Sequence, residues 1–136
     1  MRKGIREFRY KGDLIAVLVS TKFRHVSPHA LFFSNPNSSL QVGAGTYPKG
    51  HIGEPHDHRR DQVVQARYEE LLHLDKGRME VSLYGNDRKK FATFVMKTGE
   101  TIHLISGGHG FRMLTTCRCI EVKQGPFVRQ NKNYFS

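Results

Sequence analysis

Apolar and polar residues alternate through most of the second half of the chain. Met79, Val81 and Leu83 are interleaved with Glu80, Ser82 and Tyr84. A period of two sends successive side chains to opposite faces, so this run predicts a strand with one apolar face. Gly85-Asn86-Asp87 supplies turn chemistry after it. Further strands are predicted over Phe91–Lys97, Thr101–Ile105, His109–Met113 and Cys117–Val122. Thr98-Gly99-Glu100 and Ser106-Gly107-Gly108 punctuate them, and Gln124-Gly125-Pro126 ends the pattern. The first half is less regular. The continuous apolar run Leu14–Val19 reads as a strand behind Gly12-Asp13. Ser34–Ser39 reads as a loop, and Leu40-Gln41-Val42 as the start of a strand feeding the Gly- and Pro-rich segment Gly43–Pro55. No stretch carries the periodicity of an amphipathic helix. Short strands spaced by roughly 8–12 residues indicate an all-β sandwich or barrel.

A chain of 136 residues predicts one domain, with a core large enough to sustain it. No apolar run approaches the roughly 20 residues of a membrane span, and no signal-like segment follows the basic start. The expectation is therefore a soluble, cytoplasmic protein without a membrane span. Lys and Arg number 22 against 12 Asp and Glu, a formal charge of +10. Such a surface favours anionic partners such as phosphorylated metabolites or nucleotides. Neither a recognition helix nor zinc-finger spacing supports nucleic-acid binding. Arg88-Lys89-Lys90, the densest cluster, reads as a solvated hairpin turn. Cys117 and Cys119 sit two apart on one strand, which disfavours a disulfide. They read as free thiols, buried as small hydrophobes rather than acting as metal ligands, in keeping with a reducing compartment.

The stretch His56-Asp57-His58 carries the chemistry. On an extended strand the two imidazoles project to one face, where they can grip one transition metal. Glu70 shares parity with Leu72 and Leu74, and His109 with Phe111 and Met113. A carboxylate and an imidazole thus fall in register with core-facing residues, where burial calls for a partner or a metal. His56, His58, Glu70 and His109 are the expected ligands of one divalent transition ion (Zn, Mn, Fe, Ni or Cu). Three imidazoles and one carboxylate would leave positions open for substrate, an arrangement suited to catalysis.

Gly50, His56-x-His58, Glu70 and Gly77 resemble the first motif of the cupin superfamily, and Gly99-Glu100-Thr101-Ile102-His103 through His109 resembles the second. The chain departs from the pattern in two places. Ile105 stands where the family has Pro, with the spacing to His109 one residue short. Eleven residues separate His58 from Glu70, where the family has three or four. Glu69 would replace Glu70 as ligand if the register slipped by one. The segments Leu40–Gly43, Pro48–Ile52, Pro55–His58, Ser106–Phe111 and Glu121–Phe127 are similar to those of small cupins found among bacterial surface-polysaccharide and sugar-nucleotide genes. The resemblance implies a double-stranded β-helix, or jelly-roll, barrel. Residues 40–127 would form its core, residues 1–39 the N-terminal strands and loop, and 128–136 a tail. It also implies a homodimer, with apolar N-terminal material such as Leu14–Val19 and Phe32-Phe33 at the interface.

Strand phase nominates further residues. Glu121 shares parity with Cys117 and Cys119, faces the lumen and is the candidate general base. Arg67, Lys123 and Arg129 are candidate phosphate ligands, and Tyr47 and Phe111 candidate walls of a sugar pocket. Arg112 and His73 should face outward, and His25, His29, His51 and His103 read as surface or satisfied polar positions. The leading expectation is a metal-dependent isomerase or epimerase acting on a carbohydrate or sugar nucleotide. An Fe(II) dioxygenase and a non-catalytic module binding a sugar or small anion share the same features.

Overall fold

The computed structural model describes residues 2–25, 30–58, 67–125 and 132–136. Its strands are β1 (Ile5–Tyr10), β2 (Asp13–Val19), β3 (Leu31–Phe32), β4 (Gly43–Ala44), β5 (Glu70–Lys76), β6 (Arg78–Tyr84), β7 (Lys90–Lys97), β8 (Thr101–Leu104), β9 (Gly108–Met113) and β10 (Arg118–Lys123). There is no helix among the described residues, so none is long and apolar enough to cross a membrane. A five-stranded sheet runs β1-β2-β8-β5-β10 and a three-stranded sheet β7-β6-β9, with β3 and β4 forming a small ladder. Every pairing is antiparallel.

Alternation along each strand builds the interior. Met79, Val81 and Leu83 of β6, with Met96 of β7, pack against Leu72 and Leu74 of β5 and Ile102 and Leu104 of β8. Phe8, Ala16 and Leu18 extend this core along the first two strands. The two sheets are therefore layers of an open sandwich rather than a closed barrel. A second cluster of Ile5, Val17 and Ile105, with Phe23 and Phe33 against it, covers the other face of the large sheet. Coverage on both faces explains why β2 is an apolar run without alternation.

The structure moves several expected features. Ile15–Leu18 is buried within the chain, which removes Leu14–Val19 as a source of interface. Strands β1 and β2, both before residue 40, are structural members of the main sheet. The strand β1 had no clear signal, because a bulge between Phe8 and Arg9 breaks its alternation. Leu40–Val42 is not a strand. Gln41 donates instead to the carbonyls of Asn35, Pro36 and Ser38, folding the loop on itself, and β4 begins just after.

Two turns place the strands that matter below. Gly77, between β5 and β6, has φ +110°, and a Cβ there would lie 2.6 Å from the Thr116 carbonyl. Gly107, before β9, has φ +68°, and a Cβ would lie 2.2 Å from the Tyr84 carbonyl. Glycine alone fits both the backbone conformation and the space. The Asn86 side chain accepts from the Gly107 N–H at 3.0 Å, tying the β6–β7 turn to the start of β9.

Candidate functional site

Strand β5 pairs with β8 and β10, so Glu70 lies opposite Leu104 on one side and Lys123 on the other. In the facing sheet His109 of β9 lies opposite Leu83 of β6. Alternation turns both side chains into the space between the sheets, and they meet: His109 Nε2 lies 3.0 Å from Glu70 Oε2. Lys123 Nζ approaches the other carboxylate oxygen at 3.7 Å. The hydrogen bond from His109 is the main reason the Glu70 carboxyl sits below the ordinary carboxylate range. Partial burial opposes that shift, and the charges of His109, Lys123 and Lys132 assist it. The side chains are 32% exposed for His109 and 29% for Glu70, so solvent reaches the pair.

The pair lines a cavity of about 380 Å³. Tyr68, Asn86, Arg88, Lys132 and Phe135 contribute to its walls. Three cations, Arg88, Lys123 and Lys132, thus line the cavity with one carboxylate and favour an anionic ligand there. Phe111 lies behind His109, ring centroids 5.3 Å apart, and packs on the core.

The other expected site residues lie elsewhere. His56 and His58 occupy an exposed segment without strand structure. Pro55 lacks an N–H to donate to a ladder, and nothing among the described residues pairs with this stretch. The two rings still meet, edge to face at 5.1 Å, while His56 Nδ1 bonds the Glu54 carbonyl at 2.7 Å. The four expected ligands therefore form two pairs. Among the described residues no three His, Cys, Asp or Glu side chains converge to hold a metal ion. Glu121 shares the inner face with Leu72 but is exposed beyond the cavity. Its charge and that of Cys117 add to burial in raising the Cys119 thiol pKa. Both cysteines are free. Tyr47 stacks on His51 at 4.9 Å, away from the pair. Arg67 lines a second cavity with Glu7, Arg9 and Asn35. Arg112 points outward to Glu80 at 3.3 Å, and His73 bonds Thr101 at 2.8 Å. His29, Phe127 and Arg129 lie outside the described residues.

Glu69, the alternative ligand, faces the opposite side of the sheet. Its carboxylate accepts from His103 Nε2 at 2.7 Å and from the Ser39 N–H, and both side chains are sealed from solvent. Of the two expected readings, surface or hydrogen-bonded polar position, His103 takes the second, inside the core. Burial is the main cause that lowers its pKa, against the pull of Glu69.

No protein-family model matches the chain, and comparison with curated proteins and with solved structures finds no match. Sequence reasoning missed Arg88, Asn86 and the Lys132–Phe135 segment. Asn86 and Arg88 sit in a run that reads as a solvated turn, and only the return of the C-terminal residues makes it a wall.

Proposed function

We propose that this chain binds an anionic carbohydrate, a sugar phosphate or sugar nucleotide, between its sheets and moves a proton on it as an isomerase or epimerase does. The observation that carries this reading is the Glu70–His109 contact at 3.0 Å, open to a cavity that Arg88, Lys123 and Lys132 make positive. A carboxylate that holds one nitrogen of an imidazole fixes its orientation and stabilises the imidazolium formed when the other nitrogen takes a proton. Nε2 of His109 faces Glu70, which leaves Nδ1 for the ligand. His109 then removes a proton from carbon beside a carbonyl and returns it to the neighbouring carbon or the opposite face. Lys123, 3.7 Å from the Glu70 carboxylate, offsets the negative charge that develops on the ligand oxygen. The cupin-like jelly-roll reading of the fold belongs to the same proposal. Its support is the all-β sandwich and the motif-like placement of Glu70 and His109.

The test is incubation in deuterated water with a panel of sugar phosphates and nucleotide sugars, read by mass. Deuterium should enter at least one ligand with the wild type and none with His109→Gln. Failure of the wild type across the panel contradicts the catalytic reading.

A metal-loaded form is a second reading, favoured by the approach of two donor types, imidazole and carboxylate, at one open cavity. Glu70 and His109 would hold a divalent transition ion, which would polarise a ligand oxygen when bound. Metal content of the purified protein tests it, with His109→Ala and His56→Ala/His58→Ala beside it. Equal and negligible metal in all three removes this reading. A homodimer is also proposed, now on Phe32, which is 59% exposed. Sedimentation as a monomer at micromolar concentration counts against it.

A further inference from the structure

Three separate observations converge on Phe135. Its ring meets Tyr84 edge to face at 5.1 Å. The Arg88 guanidinium lies 5.2 Å from its centroid. A Cβ on Gly108 would come within 2.5 Å of its Cζ, so the ring seats in a space that a glycine leaves open. Phe135 is 38% exposed where its neighbour Tyr134 is 86% exposed, so it is the residue of the two that anchors the segment.

Arg88 is itself held unusually. It has φ +65° without being glycine, a conformation that costs about 1 kcal/mol and persists where surroundings enforce it. Here they do. Arg88 N–H donates to the Gly85 carbonyl at 2.9 Å, and Gly85 N–H to the Lys89 carbonyl at 2.9 Å. Asp87 beside it accepts from Tyr10 and Lys11. These bonds close and tether the turn, and Arg88 lines the cavity. Neither Arg88 nor Lys132 forms an ion pair with a carboxylate of the described residues.

We infer that the C-terminal segment Lys132–Phe135 completes a phosphate-binding end of this cavity: Arg88 and Lys132 receive the phosphate, and Phe135 is the positioning residue that holds the Arg88 guanidinium for it. Arg presents a planar fork that matches two phosphate oxygens, and Lys adds a compact charge. The cation–π contact keeps the fork from swinging into solvent without competing for its hydrogen bonds. The inference rests on the anionic-ligand part of the reading above and not on its proton transfer.

The experiment is calorimetric titration of the full chain with inorganic phosphate. Wild type binds, and binding weakens as salt rises. Arg88→Gln weakens the Kd by about tenfold, the loss of roughly one charge-assisted hydrogen bond. Phe135→Leu keeps an apolar side chain in the seat but removes the ring, and weakens the Kd by about three- to fivefold. Phe135→Tyr binds like wild type. Three results would each overturn the inference: no phosphate binding by the wild type, unchanged affinity in Phe135→Leu, or equal loss in Phe135→Leu and Phe135→Tyr. A wild type that incorporates deuterium into its ligand yet ignores phosphate sinks this inference alone and leaves the dyad reading standing.

Discussion

Glu69 and Glu70 each bond a histidine, and they do so on opposite faces of the five-stranded sheet. Glu69 and His103 are 0% and 1% exposed, whereas Glu70 and His109 are each about a third exposed. The sealed pair touches the Ser39 backbone and pins the loop before β4 to the sheet. Among the described residues His103 Nδ1 has no hydrogen-bond partner, a cost the surrounding fold sustains. The open pair ends in a cavity edged with cations. Residue type and spacing are nearly the same in the two cases. Strand alternation alone decides which pair serves the fold and which is available to a ligand.

The largest expected contrast is in activity. His109→Gln should lower proton exchange by about a hundredfold or more, the scale of a lost general base, with little change in melting temperature. If His103→Gln removed exchange as completely while the chain stayed folded, the assignment of the two pairs would be reversed. Stability should show the mirror image. Glu69→Ala strips a buried histidine of its partner and should cost about 2–3 kcal/mol in denaturant unfolding. Glu70→Gln should cost about 0.5 kcal/mol or less, because solvent screens a part-exposed pair. Equal losses would erase the distinction.

Acidification gives a smaller effect with a definite sign. His103 has a lowered pKa, so the unfolded chain binds its proton more readily than the folded chain does. The stability this contributes is complete above about pH 6.5, the ordinary imidazole value, and is lost as pH falls through the lower folded value. Glu70 is also lowered, so its contribution is complete above about pH 4.5 and is lost as pH falls below that. A His103→Gln variant should lack the first decline and keep the second. Persistence of the pH 6.5 decline in that variant would place its source elsewhere.

Much of this sandwich is legible along the chain, because one-sided burial writes itself as alternation. The predicted strand over Met79–Tyr84 appears as Arg78–Tyr84, and that over Phe91–Lys97 as Lys90–Lys97. The inward phase of Glu70 and His109 follows from the same parity, and the register brings them together. What local pattern cannot encode is how distant segments meet. His56 and His58 read as strand residues only by assuming a partner strand, and among the described residues none pairs with them. Glu69 and His103 lie on the other face of the sheet, and local pattern does not show that Ser39 and Gln124 come in from distant segments to bond Glu69 there. Arg88 reads as turn surface until Phe135 returns across it.

The most direct measurement follows the imidazole resonances of His103 and His109 by NMR while inorganic phosphate and then a nucleoside-diphosphate sugar are added. The His109 resonance should shift in a saturable manner with the sugar ligand while that of His103 stays fixed. A His109 resonance that never moves, or a His103 resonance that moves alone, would contradict this expectation.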